Sequence, residues 1–264
     1  MNDPKVVFIG AGNVASHLAP AIERSGAGSV CQVYSPTLAH ASELASKLAS
    51  AEAINDLAQM DGQADIYIVS IKDDCIIPLV NSLSGSLTGN ALWMHTSGSV
   101  PMDVLAPLTS RYGVYYPMQT FSKDAALDMS VVPMFVEGCG SETEDAIRKF
   151  AEKTFAKVYH ADSDLRRKMH IAAVFSCNFT NYMWVIADKI LREEGLGFDV
   201  MKPLLEETMR KAFATSPEAG QTGPAVRGDA KVMECHESML DSHDREIYQL
   251  LSQRIFEHFN KSKH

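Results

Sequence analysis

Short runs of apolar, β-forming residues recur at 6–9, 30–34, 66–71, 91–95, 114–116 and 134–136. Between several of them, above all at 38–48 and 74–83, apolar residues return at the three-to-four spacing of an amphipathic helix. Alternation of this kind predicts βαβ units, and unbroken runs such as 6–9 predict strands buried on both faces of a mainly parallel sheet. Residues 142–155 read as another helix and 157–160 as a last short strand. Beyond about residue 160 strand patterns stop, and 164–194, 200–214, 230–240 and 245–259 read as helices. The expected fold class is therefore α/β: a doubly wound sheet over residues 1–160, followed by an all-α domain over 161–264 that binds substrate or dimerises.

The first strand runs into Gly10-Ala11-Gly12-Asn13-Val14-Ala15, which has the spacing G-x-G-x-x-A. Here Gly10 makes a tight turn, Gly12 lets a pyrophosphate approach the backbone, and Ala15 lets helix and strand pack closely. A glycine turn alone is weak, but one between a strand and a helix within βαβ units predicts a Rossmann-like fold and a dinucleotide on Gly10, Gly12, Asn13 and Val14. A purely structural turn is the alternative. The second strand ends Tyr34-Ser35-Pro36-Thr37, where NAD-selective sites present an acid. Ser35 and Thr37 can instead hydrogen-bond a 2′-phosphate, which favours NADP, with NAD possible. Pro36 leaves no arginine to complete a phosphate clamp, and the same three residues also make an ordinary turn and helix cap.

Ligands collect at the strand ends of such sheets. Ser70 and Lys72 are expected beside the cofactor, and His95 and Ser97 near its nicotinamide, although His95 can equally be a hydrogen-bonded strand end. Gln119 either orients a substrate or packs a turn. At 100° per residue, Val174, Cys177, Asn178 and Asn181 fall within about 80° of His170. That face carries a proton donor and two amides, which need either a ligand or a neighbouring helix as partner. For a hydride delivered to C=O or C=N, His170 can protonate the product while Asn178 holds its oxygen or nitrogen. Arg227, in Thr222-Gly223-Pro224-Ala225-Val226-Arg227-Gly228-Asp229, can grip a carboxylate or phosphate, or tie two subunits together, and Asp229 reads as a helix cap.

Composition narrows the classes. The 264 residues are 46% apolar and carry a formal net charge of -9 with no basic cluster, which argues against a nucleic-acid partner. Five scattered cysteines with no C-x-x-C pair indicate neither a disulfide framework nor a thiolate metal site. His236, His243 and their acidic neighbours match no compact ligand spacing, so no metal is expected. With no visible secretory signal and no apolar run of membrane length, a cytoplasmic protein without a membrane partner is expected.

The segments VVFIGAGNVASHLA, VYSPT, HTSGSV, YYPMQTFS, KMHIAAVFSCNFTNYM and TGPAVRGD, in this order, resemble a bacterial family of candidate NADP oxidoreductases. Its members join a Rossmann-like domain to a helical domain of unknown function and are often labelled deazaflavin-dependent by similarity. The glycine turn is shared with pyrroline-carboxylate reductases and 6-phosphogluconate dehydrogenases. The resemblance implies a cofactor on Gly10, Gly12, Asn13, Val14 and Ser35, and a cleft lined by 95–98, His170, Asn178 and Arg227. It also implies a helical domain that dimerises. Two positions depart from the pattern: Pro36 stands where arginine is common, and Tyr116 where histidine is common. The function expected is NADP-dependent hydride transfer to a small, carboxylate-bearing C=O or C=N substrate by a homodimer. The alternatives are a nucleotide-sensing dimer without catalysis, and an enzyme that holds the nucleotide without net redox turnover.

Overall fold

A computed structural model describes residues 3–84 and 89–260. In the first part, strands and helices alternate as β1 (Lys5–Ile9), α1 (Asn13–Arg24), β2 (Ser29–Tyr34), α2 (Leu38–Ala45), β3 (Glu52–Ile54), β4 (Ile66–Val69), α3 (Asp73–Leu83) and β5 (Leu92–His95). Then follow β6 (Tyr112–Pro117), β7 (Met134–Gly138), α4 (Ser141–Glu152), β8 (Val158–His160) and α5 (Ser163–Ala173). The strands form one sheet in the order β3-β2-β1-β4-β5-β6-β7-β8. All pairs are parallel except β6 with β7. Strand order reverses between β1 and β4, which opens a crevice at their carboxyl ends, the usual ligand position in doubly wound sheets.

Period-two alternation explains the two cores. Val6 and Phe8 point to one side, against Leu18 and Ile22 of α1, Leu44 of α2, and Ile147 and Phe150 of α4. Val7 and Ile9 point to the other, against Ile76, Leu79 and Val80 of α3. Among the described residues, no helix is long and apolar enough to cross a membrane.

Three local expectations need correction. The edge strand β3 falls in a stretch not read as a strand, because three residues are too few to display a period. Helix 38–48 ends at Ala45. Residues 164–194 are not one regular helix, since Val174–Phe179 is a π-helix between α5 and α6 (Thr180–Glu193).

Contacts divide the chain into Met1–Cys177 and Asn178–His264, so α5 packs with the sheet although a boundary at 160/161 was expected. The second unit contains α6, α7 (Lys202–Ala214), the short turns α8 (Pro217–Gly220) and α9 (Pro224–Arg227), α10 (Ala230–Met239) and α11 (Ser242–Asn260). Within it, Lys189 of α6 pairs with Asp244, in the first turn of α11, at 2.8 Å and with Asp241, just before that helix. An apolar hollow lies between α6, α9 and α11, lined by Met183, Ile186, Ala225 and Leu251.

Candidate functional site

A cleft of about 960 Å³ opens at the crevice in the first unit, with Gly10, Gly12, Asn13 and Val14 in its wall. Gly10 is wedged between neighbouring strand ends. Its N–H donates to Tyr34 O at 2.8 Å, its φ is +117°, and an added Cβ would lie 2.1 Å from Ser70 O. Only glycine fits that conformation and that gap. Gly12 is the reverse case. It is the N-cap of α1 with an ordinary φ of -83°, no side chain caps the helix there, and an added Cβ would meet nothing within 4 Å. The first turn of α1 holds no acid. Open space at the positive end of a helix dipole fits a pyrophosphate.

Ser35 is buried in the cleft wall beside Pro36 and His40. Thr37, expected to share its role, instead starts α2 outside the wall and donates its N–H to Ser35 Oγ at 3.4 Å. Asn13 lines the cleft, but its amide donates to Phe121 O at 3.0 Å, and His17 Nε2 donates to Ser122 O at 2.8 Å. These two bonds pin the segment after β6 across the first turns of α1. Ser70 and Lys72 also line the cleft, and Ser70 Oγ accepts from Thr96 Oγ1 at 3.3 Å.

His95 needs correcting as a chemical group. Its ring is fully buried, and Nδ1 accepts from Ser97 N at 3.2 Å, which leaves the proton on Nε2, 3.4 Å from Pro101 O. It stiffens the loop and does not line the cleft. Burial, and next the positive Arg166, hold its pKa down to about 4. An unfolded chain, with the ordinary value of 6.5, binds one more proton between those limits. Stability is therefore expected to fall as pH drops from about 6.5 to about 4. Replacing His95 by Gln is expected to remove that one-proton slope from urea unfolding measured across the range.

Ser97 lines the cleft, yet its hydroxyl also accepts from Ser99 N at 3.1 Å and Val100 N at 3.0 Å, closing the turn that presents Gly98. An added Cβ on Gly98 would lie 2.8 Å from His170 Nδ1, so glycine lets the ring come close. Tyr116, at the end of β6, meets the same ring: its hydroxyl lies 3.3 Å from His170 Nδ1. Burial raises the Tyr116 pKa, which keeps the phenol neutral. Gln119 lines the cleft and is exposed, with Oε1 accepting from Thr120 N at 2.8 Å.

His170 is placed by Arg166, one helical turn earlier on α5. Arg166 is fully buried, paired with Glu137 of β7, and donates to Val100 O at 2.6 Å. Glu137 also accepts from Ser163 N at 3.0 Å. One guanidinium thereby fastens α5 to the sheet and to the turn carrying Gly98. Neither Arg166 nor Tyr116 was singled out for this from sequence; a lone arginine among helical polar residues gives no sign of burial.

Asn178 and Arg227 fall in the second unit. The wheel that aligned His170 with Asn178 and Asn181 assumed a constant 100° step, and the π-helix over Val174–Phe179 breaks it. Arg227 ends α9, followed by Gly228 in the left-handed conformation at φ +67°. Asp229 precedes α10 without a side-chain capping bond, contrary to the cap expected. His236 Nδ1 lies 2.9 Å from Tyr248 Oη.

Residues 2–118 match a family described as a Rossmann-like domain, and residues 132–255 match a domain of unknown function, DUF2520. Among solved structures, a candidate NADP oxidoreductase from Bacteroides fragilis is 43% identical, with a TM-score of 0.91 over 97% of this chain and 98% of that one. A Thermotoga maritima protein has a TM-score of 0.70 at 19% identity, over 98% of this chain and 100% of that one. An imine reductase from Myxococcus stipitatus, crystallised with NADP+, has a TM-score of 0.68 at 16% identity, over 98% of this chain and 94% of its own. These last two share the fold. No curated protein matches. With near-complete coverage at 43% identity, the chain belongs to the family of the Bacteroides fragilis protein, in which a Rossmann-like domain precedes a DUF2520 domain.

Proposed function

We propose that the protein is an NADP-dependent oxidoreductase that moves a hydride between nicotinamide and a small C=O or C=N substrate. One observation carries the reading: the open glycine turn at Gly12 and the Tyr116–His170 pair line a single cleft. The relative named as a candidate NADP oxidoreductase supports the cofactor. The fold shared with an imine reductase supports testing C=N substrates.

The α1 N-terminus receives the pyrophosphate at Gly12 and Asn13. The bound nicotinamide supplies or accepts the hydride. In the direction of reduction, protonated His170 gives its Nε2 proton to the substrate oxygen or nitrogen and becomes neutral. Tyr116 serves both states of the ring, because Nδ1 keeps its proton when Nε2 gives one up and donates it to the Tyr116 hydroxyl oxygen throughout. In the second unit, Asn178 offers an amide that can hold an oxygen or nitrogen, and Arg227 a guanidinium that can grip a carboxylate. Exposed apolar side chains such as Val185, Leu204 and Phe213 suit the second unit to a homodimer interface, and a cytoplasmic location fits this chemistry.

The test follows NADPH absorbance with a panel of cyclic imines and 2-oxo acids. Turnover with one of these classes is expected, and the His170→Gln variant is expected to lose at least about tenfold in kcat while NADPH affinity stays within about threefold. NADPH binding without turnover on any substrate would favour the sensing alternative.

A further inference from the structure

The end of β2 lacks the cation that a 2′-phosphate needs, since Pro36 follows Ser35. Among the described residues, the lysines and arginines in the cleft wall are Lys72 and Lys123. Lys72 caps α3, after β4. Lys123 belongs to the segment between β6 and β7, yet its Nζ lies 2.8 Å from Glu43 Oε2 on α2. Lys123 therefore stands on the β2 side of the sheet reversal, where the adenosine half of a dinucleotide lies.

We infer that Lys123 supplies, from this distant segment, the ammonium that holds the 2′-phosphate of NADP beside Ser35 and His40. The inference rests on the NADP reading above. Three observations carry it. Asn13 and His17 fix the segment through Phe121 O and Ser122 O, so the lysine is held by the same helix that starts at the glycine turn. The start of α2 has no acid in its first turn and no side-chain cap at Thr37, so that turn itself sets no negative charge against a phosphate. Among the described residues, Glu43 is the carboxylate paired with Lys123, and this ion pair, helped by Lys47 and His40, holds its pKa below the usual range. Glu43 thus orients the lysine, and Lys123 in turn neutralises a charge that would weaken phosphate binding.

The experiment is calorimetric titration of the full chain with NADPH and with NADH, which lacks the 2′-phosphate. Lys123→Met is expected to weaken NADPH at least about tenfold while NADH changes by less than about twofold, and Lys123→Arg is expected to retain NADPH within about threefold. Equal weakening of both nucleotides, or unchanged NADPH affinity in Lys123→Met, would overturn the assignment of Lys123 alone. A folded parent that binds neither nucleotide would overturn the oxidoreductase reading and this inference together.

Discussion

Gly12→Asp is expected to leave the protein folded and to weaken NADPH binding by at least about 100-fold, or about 3 kcal/mol. The two halves of this expectation have separate origins. Backbone at Gly12 is in an extended conformation open to any residue, and an added Cβ meets nothing within 4 Å. Asp is moreover a preferred N-cap, and α1 has no side-chain cap, so the melting temperature should stay level or rise slightly. The carboxylate projects, however, into the cleft wall that receives the pyrophosphate, filling the approach and opposing its charge. Calorimetry on parent and variant, with a thermal melt of each, separates the effects. A variant that binds NADPH like the parent would remove the pyrophosphate from Gly12.

Arg166→Met is expected to destabilise the protein by about 3–5 kcal/mol in chemical denaturation, the cost of leaving a buried carboxylate without its partner. Among the described residues, Ser163 N and Oγ would remain as donors to Glu137, and Val100 O would lose its guanidinium. The double variant Arg166→Met, Glu137→Met is expected to recover part of that loss, because no uncompensated charge then remains. Loss equal to that of the single variant would mean that Arg166 acts through packing and its bond to Val100 more than through the ion pair.

The fold was legible because the strands with unbroken apolar runs are buried on both faces, and the glycine turn has a local cause that a sequence displays. The antiparallel β7 and the three-residue β3 were not, since pairing direction and short edge strands are settled by tertiary contacts. In the candidate site, the glycine turn could be read but the contact between Tyr116 and His170 could not. His170 was visible as a histidine on an apolar helix, whereas Tyr116 becomes its neighbour only through a 54-residue separation closed by α5. His95 was attractive for its place after a strand, and its burial came from the turn that folds over it. Lys123 lies in a segment with no motif, and two bonds from α1 to that segment accompany its place in the cleft wall.

The most direct measurement is titration of the purified parent with NADPH. The account expects a single saturable binding event per chain, with a rise in melting temperature as the nucleotide fills the cleft. A well-folded parent that shows neither heat of binding nor a thermal shift would contradict it, leaving the glycine turn as a structural element.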